Sequence, residues 1–121
     1  MKFREMVKRV QKYSGYSYEE SKQALEHMVE SIAVRLSDSE RKDFASQLPG
    51  QLKAIALTVR STAYNTKTDL IQDFIDIQKI DADHAKKQIK SAWQTIKEAI
   101  TPLEIKQIKS QLPTETLSAL N

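Results

Sequence analysis

No cysteine occurs anywhere in the 121-residue chain. Disulfides, thiolate nucleophiles and Cys-bearing zinc sites are therefore excluded, and the composition fits a reducing compartment. Glycine is almost as scarce, with Gly15 and Gly50 the only two. A loop that cradles phosphates needs several glycines close together, so P-loop and dinucleotide-type sites are excluded as well. With only three prolines besides, the chain has too few breakers for the many tight turns of an all-β fold. No apolar run approaches the ~18 residues of a membrane span. The start, MKFREMVKRVQKY, is amphipathic and lacks the apolar stretch of a signal peptide. Residue 2 is Lys and the chain ends SALN, so no lipidation motif is present. A soluble, cytoplasmic protein is expected.

What the chain does contain is charge, apolar periodicity and a repeat. Charged residues make up 29% and apolar residues 40%, ordinary values for a folded domain. The net charge of +3 falls entirely within residues 1–64. The tetrapeptide Ser46-Gln47-Leu48-Pro49 recurs as Ser110-Gln111-Leu112-Pro113, an offset of 64 residues. The same offset pairs Lys22 with Lys86, Ile32 with Ile96, Glu40 with Glu104 and Lys42 with Lys106. It also superposes the apolar positions. Met6 falls on Leu70, Val7 on Ile71, Val10 on Phe74, Tyr13 on Ile77 and Tyr16 on Ile80. Leu25, Met28, Val29, Ile32 and Leu36 fall on Ile89, Ala92, Trp93, Ile96 and Ile100, and Phe44 and Leu48 fall on Ile108 and Leu112. Spacings of this kind form the buried stripe of an amphipathic helix. The fold class is therefore all-α: two tandem copies of a roughly 64-residue helical unit, about 1–64 and 65–121, packed into one bundle-like domain. Neither copy has enough apolar surface to fold alone, so one co-folded domain is expected.

Start and stop signals place the helices. The first runs over about 2–13 and stops at Ser14-Gly15, where glycine reaches the left-handed conformation without strain. Ser17 with Glu20 forms a capping box, each side chain bonding the other's free backbone N–H, and opens a helix to about Leu36. Ser37 with Glu40 is a second box, opening a helix that ends near Leu48-Pro49. Pro49 suits the first turn of a fourth helix, which carries Leu52, Ile55, Ala56, Val59 and Ala63 on one face. Asn65-Thr66-Lys67-Thr68 is a polar joint, with Thr66 and Asp69 a weak cap for a helix over about 68–79. Asp81 caps the sixth helix. Thr101, Pro102 and Glu104 supply the cap, first position and third position of the seventh. Pro113 begins a short eighth helix with Leu117 and Leu120, which stops well short of its counterpart. This leaves an under-covered apolar groove expected around Ile108 and Leu112.

The stretches YEESKQALEHMVESIAVRLSDSERKDFASQLPGQLKAI and DADHAKKQIKSAWQTIKEAITPLEIKQIKSQLPTETLSAL resemble the two repeats of a bacterial family catalogued as domain of unknown function 2267. The resemblance spans nearly the whole chain, and its most specific element is QLP after a capped, charged helix in both halves. It implies an all-α tandem repeat of bacterial origin and carries over no active site or cofactor.

The reactive residue types form no constellation. His27 and His84 are the only histidines, neither belongs to a spaced ligand set, and both are expected in solvent. The carboxylates Glu19, Glu20, Glu26, Glu30, Asp69, Asp73 and Asp76 lie off the apolar stripes. Without a Glu-x-x-His partner they do not read as a di-metal bundle site. No catalytic, metal or cofactor-binding residue is assigned. Tyr13, Tyr16 and Trp93 overlie apolar residues and are expected in the core, whereas Tyr18 overlies Ala82 and is free. Two basic clusters remain: Lys2, Arg4, Lys8, Arg9 and Lys12 on the first helix, and Lys86, Lys87, Lys90 and Lys97 on the sixth. Lys8, Lys12, Lys86, Lys90 and Lys97 are the candidate basic surface. The expected role is a non-enzymatic helical module that binds a protein partner or a second copy of itself. The alternative is weak binding of nucleic acid or an anionic surface through the basic faces.

Overall fold

The structure, a computed structural model, describes residues 1–60 and 69–121. The described residues form eight helices and no strand. Short polar side chains open most of them. Ser17 accepts the Glu20 N–H to start α2 (Tyr18–Val34), and Ser37 accepts the Glu40 N–H to start α3 (Asp38–Ser46). Asp81 accepts the His84 N–H to start α6 (Ala82–Ala99). Thr101 accepts the Glu104 N–H to start α7 (Pro102–Gln111), with Pro102 in the first turn. Each cap satisfies a backbone donor that the helix itself leaves open. The remaining helices are α1 (Phe3–Ser14), α4 (Gly50–Thr58), α5 (Leu70–Gln78) and α8 (Thr114–Leu120).

Three boundaries differ from the sequence expectation. Pro49 and Pro113 are themselves the caps of α4 and α8, one position before the first turn, because their extended ψ of 160° and 150° is cap geometry and not helical. α5 starts at Leu70 because Asp69 supplies the cap, accepting the Gln72 N–H. Ala63, the joint at 65–68 and the 64/65 repeat boundary lie outside the described residues. The stop after α1 is as expected: Gly15 takes a φ of 78° and its N–H donates to the Gln11 carbonyl. The same device closes α5, but there a lysine, Lys79, holds a φ of 55°.

The long helices α2 and α6 pack against one another at the centre, and α1 lies against both. α4 covers α2, α5 and α8 cover α6, and α7 packs chiefly on α3. Every expected stripe residue of α2 and α6 is buried, from Leu25 to Leu36 and from Ile89 to Ile100, including Trp93 at 2% exposure. Met6, Val10, Leu70 and Phe74 complete the core from the two first helices. Tyr16, expected in the core, is only half-buried and lies outside it, and two expectations fail at equivalent positions. Tyr13 and Ile77 are 40% and 49% exposed, not core. Each stands on the last turn of its helix, at the rim of the shared core, and the Tyr13 hydroxyl reaches out to Glu98. The expected groove around Ile108 and Leu112 is also absent, both residues being buried. The short α8 suffices because it packs on α5 and α6 while α7 packs on α3.

Candidate functional site

The contact of α1 with α6 brings together the helices that carry the two basic clusters. On α1, Arg9 donates to Glu98 at 2.9 Å and the Tyr13 hydroxyl donates to the same carboxylate at 2.6 Å. Burial alone raises the Glu98 carboxyl, but hydrogen bonds from Tyr13, Gln94 and Arg9 outweigh it and hold its pKa below the usual range. Glu98 thus stays ionised with Arg9 as its counter-charge, and the face beside it is left to lysines. A groove of about 370 Å³ opens there, lined by Tyr13, Lys87, Lys90, Ser91 and Gln94. Of the expected basic residues, Lys8, Lys12, Lys86 and Lys90 are exposed on these two helices. Lys97 is half-buried with its ammonium 6.0 Å from the Trp93 ring. Lys87 stands 5.5 Å over the Tyr16 ring. No ion pair occupies these lysines among the described residues. Tyr13 is the groove residue that sequence reasoning placed in the core. The available signal was its position at the end of the stripe, where a ring with a hydroxyl suits a rim.

The repeated tetrapeptide has a different task. Gln47 Oε1 accepts the Thr101 N–H at 2.8 Å, and Gln111 Oε1 accepts the Ser37 N–H at 2.8 Å. Each glutamine thus satisfies the open cap N–H of a helix distant in the chain, at separations of 54 and 74 residues. Ser46 and Ser110 turn back onto the Asp43 and Gln107 carbonyls. Leu48 and Leu112 are buried, and Pro49 and Pro113 cap the next helices. The motif joins helices.

This arrangement corrects the capping boxes. The cap hydroxyls bond as expected, but the glutamates do not complete the exchange. Glu20 accepts from His84 Nε2 at 2.5 Å and from Gln88 Nε2 at 3.1 Å. Burial raises its pKa, and these two bonds more than reverse that. Glu40 and Glu104 are buried, each with Oε1 unpartnered. Burial, the hydrogen bond to Glu40, and the charges of Glu40 and Asp43 push Glu104 up to about 8.

Neither histidine is solvated as expected. His84 is half-buried between Glu20 and the Tyr16 ring, whose centroid lies 4.5 Å away. His27 is buried, stacked on Phe74 at 4.0 Å, and its Nδ1 accepts from Gln78 Nε2 at 3.3 Å. Burial, then the Arg35 charge, pushes its pKa down to about 4, so the ring is neutral. Asp73 also departs from the expectation for off-stripe acids: it is buried against Arg35 at 2.8 Å. These groups moved inward because partners from other helices satisfy them, and burial of a polar group is tolerated only on that condition.

Among the described residues no three His, Asp or Glu side chains are grouped to hold a metal ion. No described helix is long and apolar enough to cross a membrane. Comparison with curated proteins finds no match. The model of an uncharacterized conserved protein family, DUF2267, matches residues 3–118. With the match covering nearly the full chain, and with eight helices and the paired QLP joints in place, the protein belongs to the DUF2267 family.

Proposed function

We propose that the protein is a non-enzymatic binding module that docks an acidic segment of another protein along the α1/α6 face. The observation that carries this reading is the groove in which exposed Tyr13 of α1 stands beside Lys87 and Lys90 of α6. Apolar ring surface flanked by cations suits a partner with acidic side chains around an apolar anchor. The paired QLP joints and the superposed apolar stripes support a duplicated scaffold as the platform for that face.

Nucleic acid is the alternative that the same lysines raise, since phosphate contacts need basic clusters side by side. Protein is favoured because single-strand binding draws much of its affinity from bases stacking on open rings. Here Trp93 is buried and Tyr16 is covered by His84 and Lys87, which leaves only Tyr13, its hydroxyl held by Glu98, and Tyr18 as exposed rings among the described residues.

The test is affinity capture from lysate of the source organism with the wild type and a K87E/K90E variant, with and without nuclease and across a salt series. A stoichiometric protein partner that resists nuclease and is lost in K87E/K90E is expected. Equal capture by the folded variant refutes the reading, and recovery of nucleic acid alone, removed by nuclease or moderate salt, replaces it with the alternative.

A further inference from the structure

Glu40 and Glu104 stand at the third positions of α3 and α7, each three residues after a hydroxyl cap. In an ordinary capping box each would bend back to the N–H of its own cap. Those N–H groups, on Ser37 and Thr101, are already taken by Gln111 and Gln47. Both carboxyls are buried at the α3/α7 contact, each with Oε1 unpartnered, and a side-chain hydrogen bond links Glu104 to Glu40. Two carboxylates cannot both ionise in one dry site, because their repulsion is unscreened there.

The surrounding charges offer no relief. On α3, Arg41 is engaged by the Ala33 and Leu36 carbonyls and by Asp38, while Lys42 and Asp43 are exposed. On α7, Lys106 and Lys109 are exposed. On α4, Lys53 is exposed, and at the end of α2, Arg35 is engaged by the Ser31 carbonyl and Asp73. No cation pairs with Glu40 or Glu104 among the described residues.

We propose that the α3/α7 contact is a proton-gated joint, closed when Glu40 and Glu104 share one proton and loosened when that proton leaves. α7 is the element that releases, because it packs chiefly on α3. α7 carries Ile108, which is fully buried in the closed state. The direction follows from linkage. The closed state holds a proton up to about 8, against a reference value of 4.5 for the free carboxyl. The joint is therefore at full strength below about 4.5 and weakens as pH rises toward 8.

Amide hydrogen exchange of the full chain between pH 5.5 and 9, corrected for intrinsic exchange, tests this directly. The opening constant of α7 is expected to rise about tenfold per pH unit up to pH 7.5 and to level near 8. One glutamate carboxyl is expected to titrate near 8 by carbon-13 NMR. In E104Q the amide donates to Glu40 permanently, and the pH dependence of α7 disappears; E40Q is the second variant and behaves alike. Parallel pH profiles in the wild type and both variants overturn the joint. So does titration of every glutamate in the usual carboxylate range, or restored protection at pH 8 on adding Mg²⁺, which would make the pair a cation site.

Discussion

Replacing Asp73 with alanine removes an ion-pair partner from the Arg35 guanidinium in the protein interior. The pair is 2.8 Å apart with side chains only 4% and 3% exposed. Its placement suits both charges: Arg35 caps the C-terminal end of α2, and Asp73 lies in the first turn of α5. Each therefore sits at the helix end whose dipole favours it. Removing one partner of a buried pair costs about 3–5 kcal/mol, because a buried charge loses a counter-charge. For a chain of this length the whole stability is on the order of 6–18 kcal/mol. At about 0.25 kcal/mol per degree of unfolding entropy, a loss of about 4 kcal/mol lowers Tm by about 16 °C. Urea and thermal unfolding followed by circular dichroism measure both quantities. The R35M/D73L double variant is expected to recover most of the loss, since apolar groups of similar size need no partner. The pair Arg9–Glu98 serves as control: at 44% and 24% exposure it is a surface bridge, worth under about 1 kcal/mol. If D73A costs no more than R9A, the reasoning from burial is wrong.

Two further outcomes follow from strained or shifted groups. His27 folds neutral with a pKa pushed down to about 4 from 6.5, so its contribution is complete above 6.5 and is lost as pH falls toward 4. Between pH 7 and 4 the wild type is expected to lose about 3 kcal/mol more stability than H27F, which keeps a ring over Phe74; equal acid profiles in urea titrations would count against a buried neutral histidine. Lys79 holds a φ of 55° where Gly15 holds 78° at the equivalent position. K79G is expected to gain about 0.5–1 kcal/mol, or a few degrees in Tm, by relieving left-handed strain; a loss on calorimetry would show that the lysine side chain stabilises the turn.

Short-range signals were legible in the sequence and long-range ones were not. Ser17, Ser37, Asp81 and Thr101 were legible as caps because capping involves a hydroxyl or carboxyl and an N–H three residues on. The stripes of α2 and α6 were legible because a 3.6-residue period needs no knowledge of the partner surface. Tyr13 and Ile77 misled because periodicity marks a face and not how far along it the neighbouring helix extends. The candidate groove was half visible: both lysine clusters stood in the sequence, but nothing local said that α1 would lie against α6.

The sequence by itself determined the all-α class, the helix boundaries to within a few residues, the buried stripes and the recurrence of SQLP. Those properties are written in contacts between residues near in the chain. Tertiary structure alone decided what the polar groups do. Gln47 meets Thr101, Gln111 meets Ser37, Glu20 meets His84, and Arg35 meets Asp73, at separations of 54, 74, 64 and 38 residues. At such separations no spacing rule applies, and a charged side chain is drawn inward only where packing from another helix delivers its partner. The same packing buried the like-charged pair Glu40 and Glu104 together at the α3/α7 contact.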